Sequence, residues 1–172
     1  MKPASDTLIL GWGNPGRLDD GLGPACAMAI QEMALPGVRV ETDYQLQVED
    51  AAEVARHRRV VFVDADRSGA EPFRLERLRP SLHPLSFSTH SVAPDAVLGL
   101  TQNLFKAEPE AWLLGIRGYE FDDFGEGLSD RAKQNLSAAI AFLREAVEEH
   151  GFREISASEA SHSTRSRDEG ES

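Results

Sequence analysis

Apolar positions along this chain change period in a regular way. Leu8, Ile9 and Leu10 form a short continuous run, and a Gly-, Asn- and Pro-rich stretch breaks it before residues 21–34, where apolar side chains recur at helical spacing. This predicts a strand over 7–11, a loop and a helix. Leu35, Pro36 and Gly37 close that helix, residues 38–42 alternate as a second strand, and an amphipathic helix is expected over about 48–56. Within 59–65, Val60, Val61, Phe62 and Val63 form the unbroken apolar run of a strand covered on both faces of a parallel sheet. Phe73 and Leu75 alternate weakly, as an edge strand does, ahead of a Pro- and Ser-rich loop over 80–90. Pro94 opens a helix through about Phe105, and residues 112–116 form the last strand. Ser129, as N-cap, begins a long helix through Ala138, Ile140, Phe142, Leu143 and Val147 to 151.

Strand and helix alternate throughout, without an internal repeat. The pattern predicts an α/β fold: a three-layer α/β/α sandwich around a mostly parallel twisted sheet of about five strands, with sites at the carboxyl ends of the strands. The chain has 172 residues, of which 41% are hydrophobic, enough for one domain over 1–153. Residues 154–172 are rich in Ser, Glu and Arg, with almost nothing to bury, and are expected to form a disordered polar tail.

A formal net charge of −11 disfavours nucleic acid and anionic membranes as partners, since phosphate binding draws on Lys and Arg. Cys26 is the only cysteine, so neither an internal disulfide nor a thiolate cluster can form, and a reducing cytoplasm is the expected setting. No stretch approaches the roughly 20 apolar residues of a membrane span, and the N-terminus lacks the apolar core of an export signal.

Candidate chemistry begins in the first loop. Gly11, Gly13 and Gly16 meet the spacing of a dinucleotide fingerprint, and Glu41 or Asp43 imitates its ribose-binding acid. Asp19 and Asp20, however, occupy the approach to the following helix. Two carboxylates repel a phosphate and suit a cation or a hydrolytic water instead. Asp19 is expected to be an N-cap or turn residue serving the amides of the first helix. Asp20 is either a second such cap or a ligand, and Asp64 either a strand-end turn former or a second ligand.

The run from Gly11 to Gly23, with Gly13-Asn14 followed by Asp19-Asp20-Gly21, resembles the opening of the hydrogenase maturation proteases. Val63-Asp64-Ala65 and Ser88-Thr89-His90 are similar to that family's second and third signatures, in the same order. The resemblance spans residues 8–143 and implies a phosphorylase/hydrolase-like fold and an endopeptidase, aspartic-type or metal-dependent. Such an enzyme trims the C-terminal extension of a nickel-iron hydrogenase large-subunit precursor. It further implies that Asp20, Asp64 and His90 are both the catalytic and the metal-contacting residues. The nickel comes with the precursor, no organic cofactor takes part, and the chain acts as a monomer. Residues 45–50 and 115–118 suggest the branch that serves cytoplasmic, cofactor-reducing hydrogenases.

Two carboxylates and an imidazole make a mixed oxygen and nitrogen site of the kind borderline divalent metals accept, with coordination positions left open. A metal there polarises a carbonyl or acidifies a water, and a free carboxylate serves as base. Of five histidines only His90 falls in a motif: His57 is read on a polar turn, His83 precedes a proline, His150 ends a helix, and His162 lies in the tail. Cys26 reads as a small core residue among alanines. Trp12, between two glycines, is either core or a substrate contact. Two rivals share parts of the pattern. Peptidyl-tRNA hydrolase has a similar opening but needs a histidine and a basic surface where this chain is acidic. A nickel chaperone would use the same three ligands without hydrolysis.

Overall fold

Val60, Val61, Phe62 and Val63 are each 0% exposed, because the strand that carries them lies in the middle of the sheet. At roughly 1.5–3 kcal/mol for each fully buried aliphatic or aromatic side chain, this run anchors the fold. The computed structural model describes residues 6–81, 92–149 and 151–152. These form strands β1 (Thr7–Trp12), β2 (Val38–Asp43), β3 (Arg59–Asp66), β4 (Phe73–Arg77) and β5 (Glu110–Arg117). The helices are α1 (Leu22–Glu32), α2 (Asp50–Val54), α3 (Pro94–Phe105) and α4 (Asp130–Glu148). The order in the sheet is β2-β1-β3-β5-β4. Strands β1, β2, β3 and β5 run parallel, in registers such as Ile9 with Val61 and Phe62 with Leu113, while β4 is an antiparallel edge with Leu75 opposite Leu114.

The two-residue period of each strand divides its side chains between two cores. On one face Ile9, Val61, Val63, Leu114 and Ile116 meet Leu22, Cys26 and Ile30 of α1 and Leu143 of α4. On the other, Leu8, Leu10, Val60 and Phe62 meet Ala51 and Val54 of α2 and Val97 and Leu98 of α3. This is the expected three-layer arrangement. Both edge strands alternate apolar with charged residues, and those charges pair along the strand: Arg39 with Glu41 at 2.9 Å and Arg74 with Glu76 at 2.8 Å.

The elements depart from expectation mainly at their ends. A 3-10 turn, Leu18–Gly21, precedes α1, and its first residue takes φ 52. The helix expected over 48–56 is confined to Asp50–Val54. Ser129 caps α4 as expected, its hydroxyl accepting from the Ala132 amide at 3.4 Å. Most of the 80–90 loop and the tail lie outside the described residues. Among the described residues no helix is long and apolar enough to cross a membrane.

From β1 the chain passes through α1 to β2 on one side and then through α2 to β3 on the other, so the strand order reverses between β1 and β3. In an open α/β sheet the crevice at the carboxyl ends of such a pair is the natural ligand position.

Candidate functional site

The glycines of the first loop bring α1 down onto the ends of the central strands. A Cβ at Gly23 would lie 2.6 Å from the Val63 carbonyl oxygen and closer still to that of Trp12. Gly13 takes φ 145, a region that favours glycine, and a Cβ there would press on the Asp20 backbone. The fingerprint spacing thus serves close packing of backbone on backbone, and the 3-10 turn with its acids sits directly above the strand reversal.

Asp20, half-buried, is held by the loop it follows. Its Oδ2 accepts from the Asn14 amide at 2.7 Å, and Asn14 Oδ1 accepts from the Gly16 amide at 2.9 Å. Asp64 stands near the end of β3, in register with Gly115 of β5, and its Oδ1 accepts from the Ala65 amide at 2.8 Å. Burial pushes the Asp64 carboxyl up to about 7; the Ala65 bond opposes this, while the charges of Asp20 and Asp66 add to it. Asp20 and Asp64 therefore lie within each other's field across the β1–β3 reversal. Two carboxylates so placed favour a shared cation or a retained proton. His90 lies outside the described residues. Among the described residues no group of three or more His, Cys, Asp and Glu side chains is placed to hold a metal ion.

Asp19 differs from its expected role. It is 0% exposed and makes no cap on α1, whose N-cap Gly21 offers no side chain. Its oxygens instead accept from Tyr119, Glu120 and Ser129, about a hundred residues away. Burial raises its pKa, but three backbone amides and the Ser129 hydroxyl outweigh that and hold it below the usual carboxylate value. The reading of His57 is also corrected: the residue is 7% exposed, with Nε2 3.0 Å from Glu53 Oε1. Trp12 is half-buried, edge-on to Phe62 with ring centres 6.1 Å apart. Cys26 is buried and its thiol is pushed up to about 12 by desolvation, as suits a core residue.

Asp66 and Arg74 fall in none of the sequence motifs. Asp66 shares the Asp64 face of β3 and accepts from Arg74 Nε at 2.7 Å and from the Gly69 amide at 2.9 Å. A second acid two positions on, on one face of a strand, was the available signal.

The strand order and the paired carboxylates define a doubly wound α/β protein with an acidic site at its switch point. No family profile matches the chain, and no curated protein matches it. Its fold is that of the solved hydrogenase maturation proteases. A [NiFe] hydrogenase maturation protease from Thermococcus kodakarensis superposes with a TM-score of 0.64 at 22% identity, covering 84% of this chain and 93% of that one. The hydrogenase maturating endopeptidase HybD from E. coli gives 0.62 at 17%, covering 87% and 96%. A hydrogenase 2 maturation peptidase from a Thaumarchaeota archaeon gives 0.60 at 19%, covering 83% and 98%.

Proposed function

We propose that this chain is an endopeptidase that removes the C-terminal extension of a nickel-loaded hydrogenase large-subunit precursor, its Asp20, Asp64 and His90 taking up the nickel of the substrate. The observation that carries the reading is the placing of Asp20 and Asp64 across the strand reversal, in a fold shared with proteins named as hydrogenase maturation endopeptidase or protease. Two oxygen ligands with an imidazole suit nickel, and an incomplete set suits a metal that arrives already bound to its own chain. A carboxylate of the pair that stays free of the metal is the general base. It takes a proton from water as the water oxygen bonds to the scissile carbonyl carbon. The proton then passes to the departing nitrogen as the C–N bond breaks. The acidic balance and single cysteine support action in the cytoplasm, on a protein partner rather than nucleic acid or membrane.

The test is mass spectrometry of nickel-loaded and nickel-free precursor incubated with this protein. Only the loaded form is expected to shorten. His90→Ala, Asp20→Asn and Asp64→Asn should each slow cleavage by roughly 100-fold or more, with non-additive combinations, if the three act as a unit. Equal cutting of nickel-free precursor refutes the role of the metal. Metal transfer without shortening would mark a chaperone instead.

A further inference from the structure

The turn that carries Asp20 starts from a strained residue. Leu18 begins it at φ 52, a conformation unfavourable for a branched side chain, and the Asp20 amide reaches the Arg17 carbonyl at 3.2 Å. Beside the Asn14 amide on Asp20, a second set of bonds comes from the segment after β5. Asp19 Oδ2 accepts from the Tyr119 amide at 2.8 Å, the Glu120 amide at 3.0 Å and Ser129 Oγ at 2.7 Å, and Oδ1 accepts from the Ser129 amide at 2.8 Å. The Asp19 amide adds a bond to the Glu120 carbonyl at 2.9 Å, and that of Leu18 one to Gly125 at 3.0 Å. A buried carboxylate with four donors is strongly held, because bonds to an ionised group are the stronger ones and a buried charge is costly to leave unmet.

We propose that Asp19 is a positioning residue of the candidate site: by gathering these donors it locks the 3-10 turn and so sets the Asp20 carboxylate against the Asn14 amide. An amide in its place would turn an NH2 group toward donors on one side, loosening the turn from the 118–129 segment. The assignment rests on the role given to Asp20 above, and Asp19 itself touches no substrate.

The test follows the Asn14 amide of the full-length protein by NMR, beside precursor cleavage. In Asp19→Asn, Asn14 hydrogen exchange should quicken by about tenfold or more while Ile30, in α1, keeps its protection. Cleavage should lose roughly 10- to 100-fold in kcat, with KM changed less than about twofold. Should Asp19→Asn fail to fold, Ser129→Ala, which removes one donor of the four, should move Asn14 exchange in the same direction by less. Ser129→Thr, which restores the hydroxyl, should reverse that change. An Asn14 amide indifferent to Asp19→Asn or to Ser129→Ala overturns the proposal. A wild-type protein that leaves the precursor whole defeats the endopeptidase reading instead, and the Asn14 amide then decides the role of Asp19 alone.

Discussion

Asp66 on β3 and Arg74 on β4 are joined across a strand that belongs to neither, the guanidinium Nε reaching the carboxylate at 2.7 Å over Gly115 of β5. A Cβ at Gly115 would lie 3.2 Å from Asp66 Oδ2 and 3.4 Å from Arg74 Cγ, so a side chain there would crowd the pair.

A double-mutant cycle of Asp66→Ala and Arg74→Ala should give a coupling of about 1 kcal/mol at pH 7, modest because the arginine is 41% exposed. Burial raises the Asp66 pKa, but the Arg74 bond and the Ser68 and Gly69 amides hold it below the ordinary carboxylate value of 3.8. Its stabilisation is therefore fully present above pH 3.8 and fades as pH falls through the lower folded value. Urea denaturation at pH 7 and at pH 3 tests both statements, and no coupling at pH 7 would remove the pair from the account of stability.

Asp64 carries the opposite sign. Its folded pKa of about 7 stands above the ordinary 3.8, so the folded state retains a proton that the unfolded state releases. The contribution of Asp64 to stability is greatest below pH 3.8 and declines until pH passes 7, by on the order of a few kcal/mol. Asp64→Asn, which keeps the shape without the charge, should melt higher than wild type at pH 8 and alike at pH 4. Lower melting of the variant at pH 8 would refute the assignment.

Gly23→Ala should cost about 3 kcal/mol or more, since the added carbon meets backbone carbonyls of two strands that have no rotamer to change. Gly127 offers a control. It takes φ 100 with nothing within 4 Å of a Cβ, so Gly127→Ala should cost only about 1–2 kcal/mol of backbone strain. Denaturation midpoints that rank the two the other way would show the α1 contact to be more yielding than drawn.

Cys26, buried with its thiol pushed up to about 12, should resist iodoacetamide in the folded protein and react once urea unfolds it. Rapid native labelling, read by intact mass, would show α1 to open readily.

The sheet was legible because its evidence is local. The run Val60 to Val63 marked the strand between β1 and β5, and the weak alternation of Phe73 and Leu75 marked an edge. Asp64 was placed by the apolar run of β3 that it follows, and Asp20 by the spacing of the glycine-rich loop ahead of α1. Asp19 was not, since its partners lie 100, 101 and 110 positions away. Nothing next to Leu18 announces its φ of 52, which the Gly125 contact helps to hold. His57 was misread because flanking arginines suggest solvent, whereas its partner Glu53 lies one helical turn back.

The charge pairs along β2 and β4 bear on behaviour in a crowded solution. A strand from a second molecule laid along either edge would strip water from Arg39 and Glu41, or from Arg74 and Glu76, before gaining its ladder of hydrogen bonds. Edge-to-edge growth into fibrils is thereby opposed at both margins, and crowding alone gives the sheet no easy route to extend.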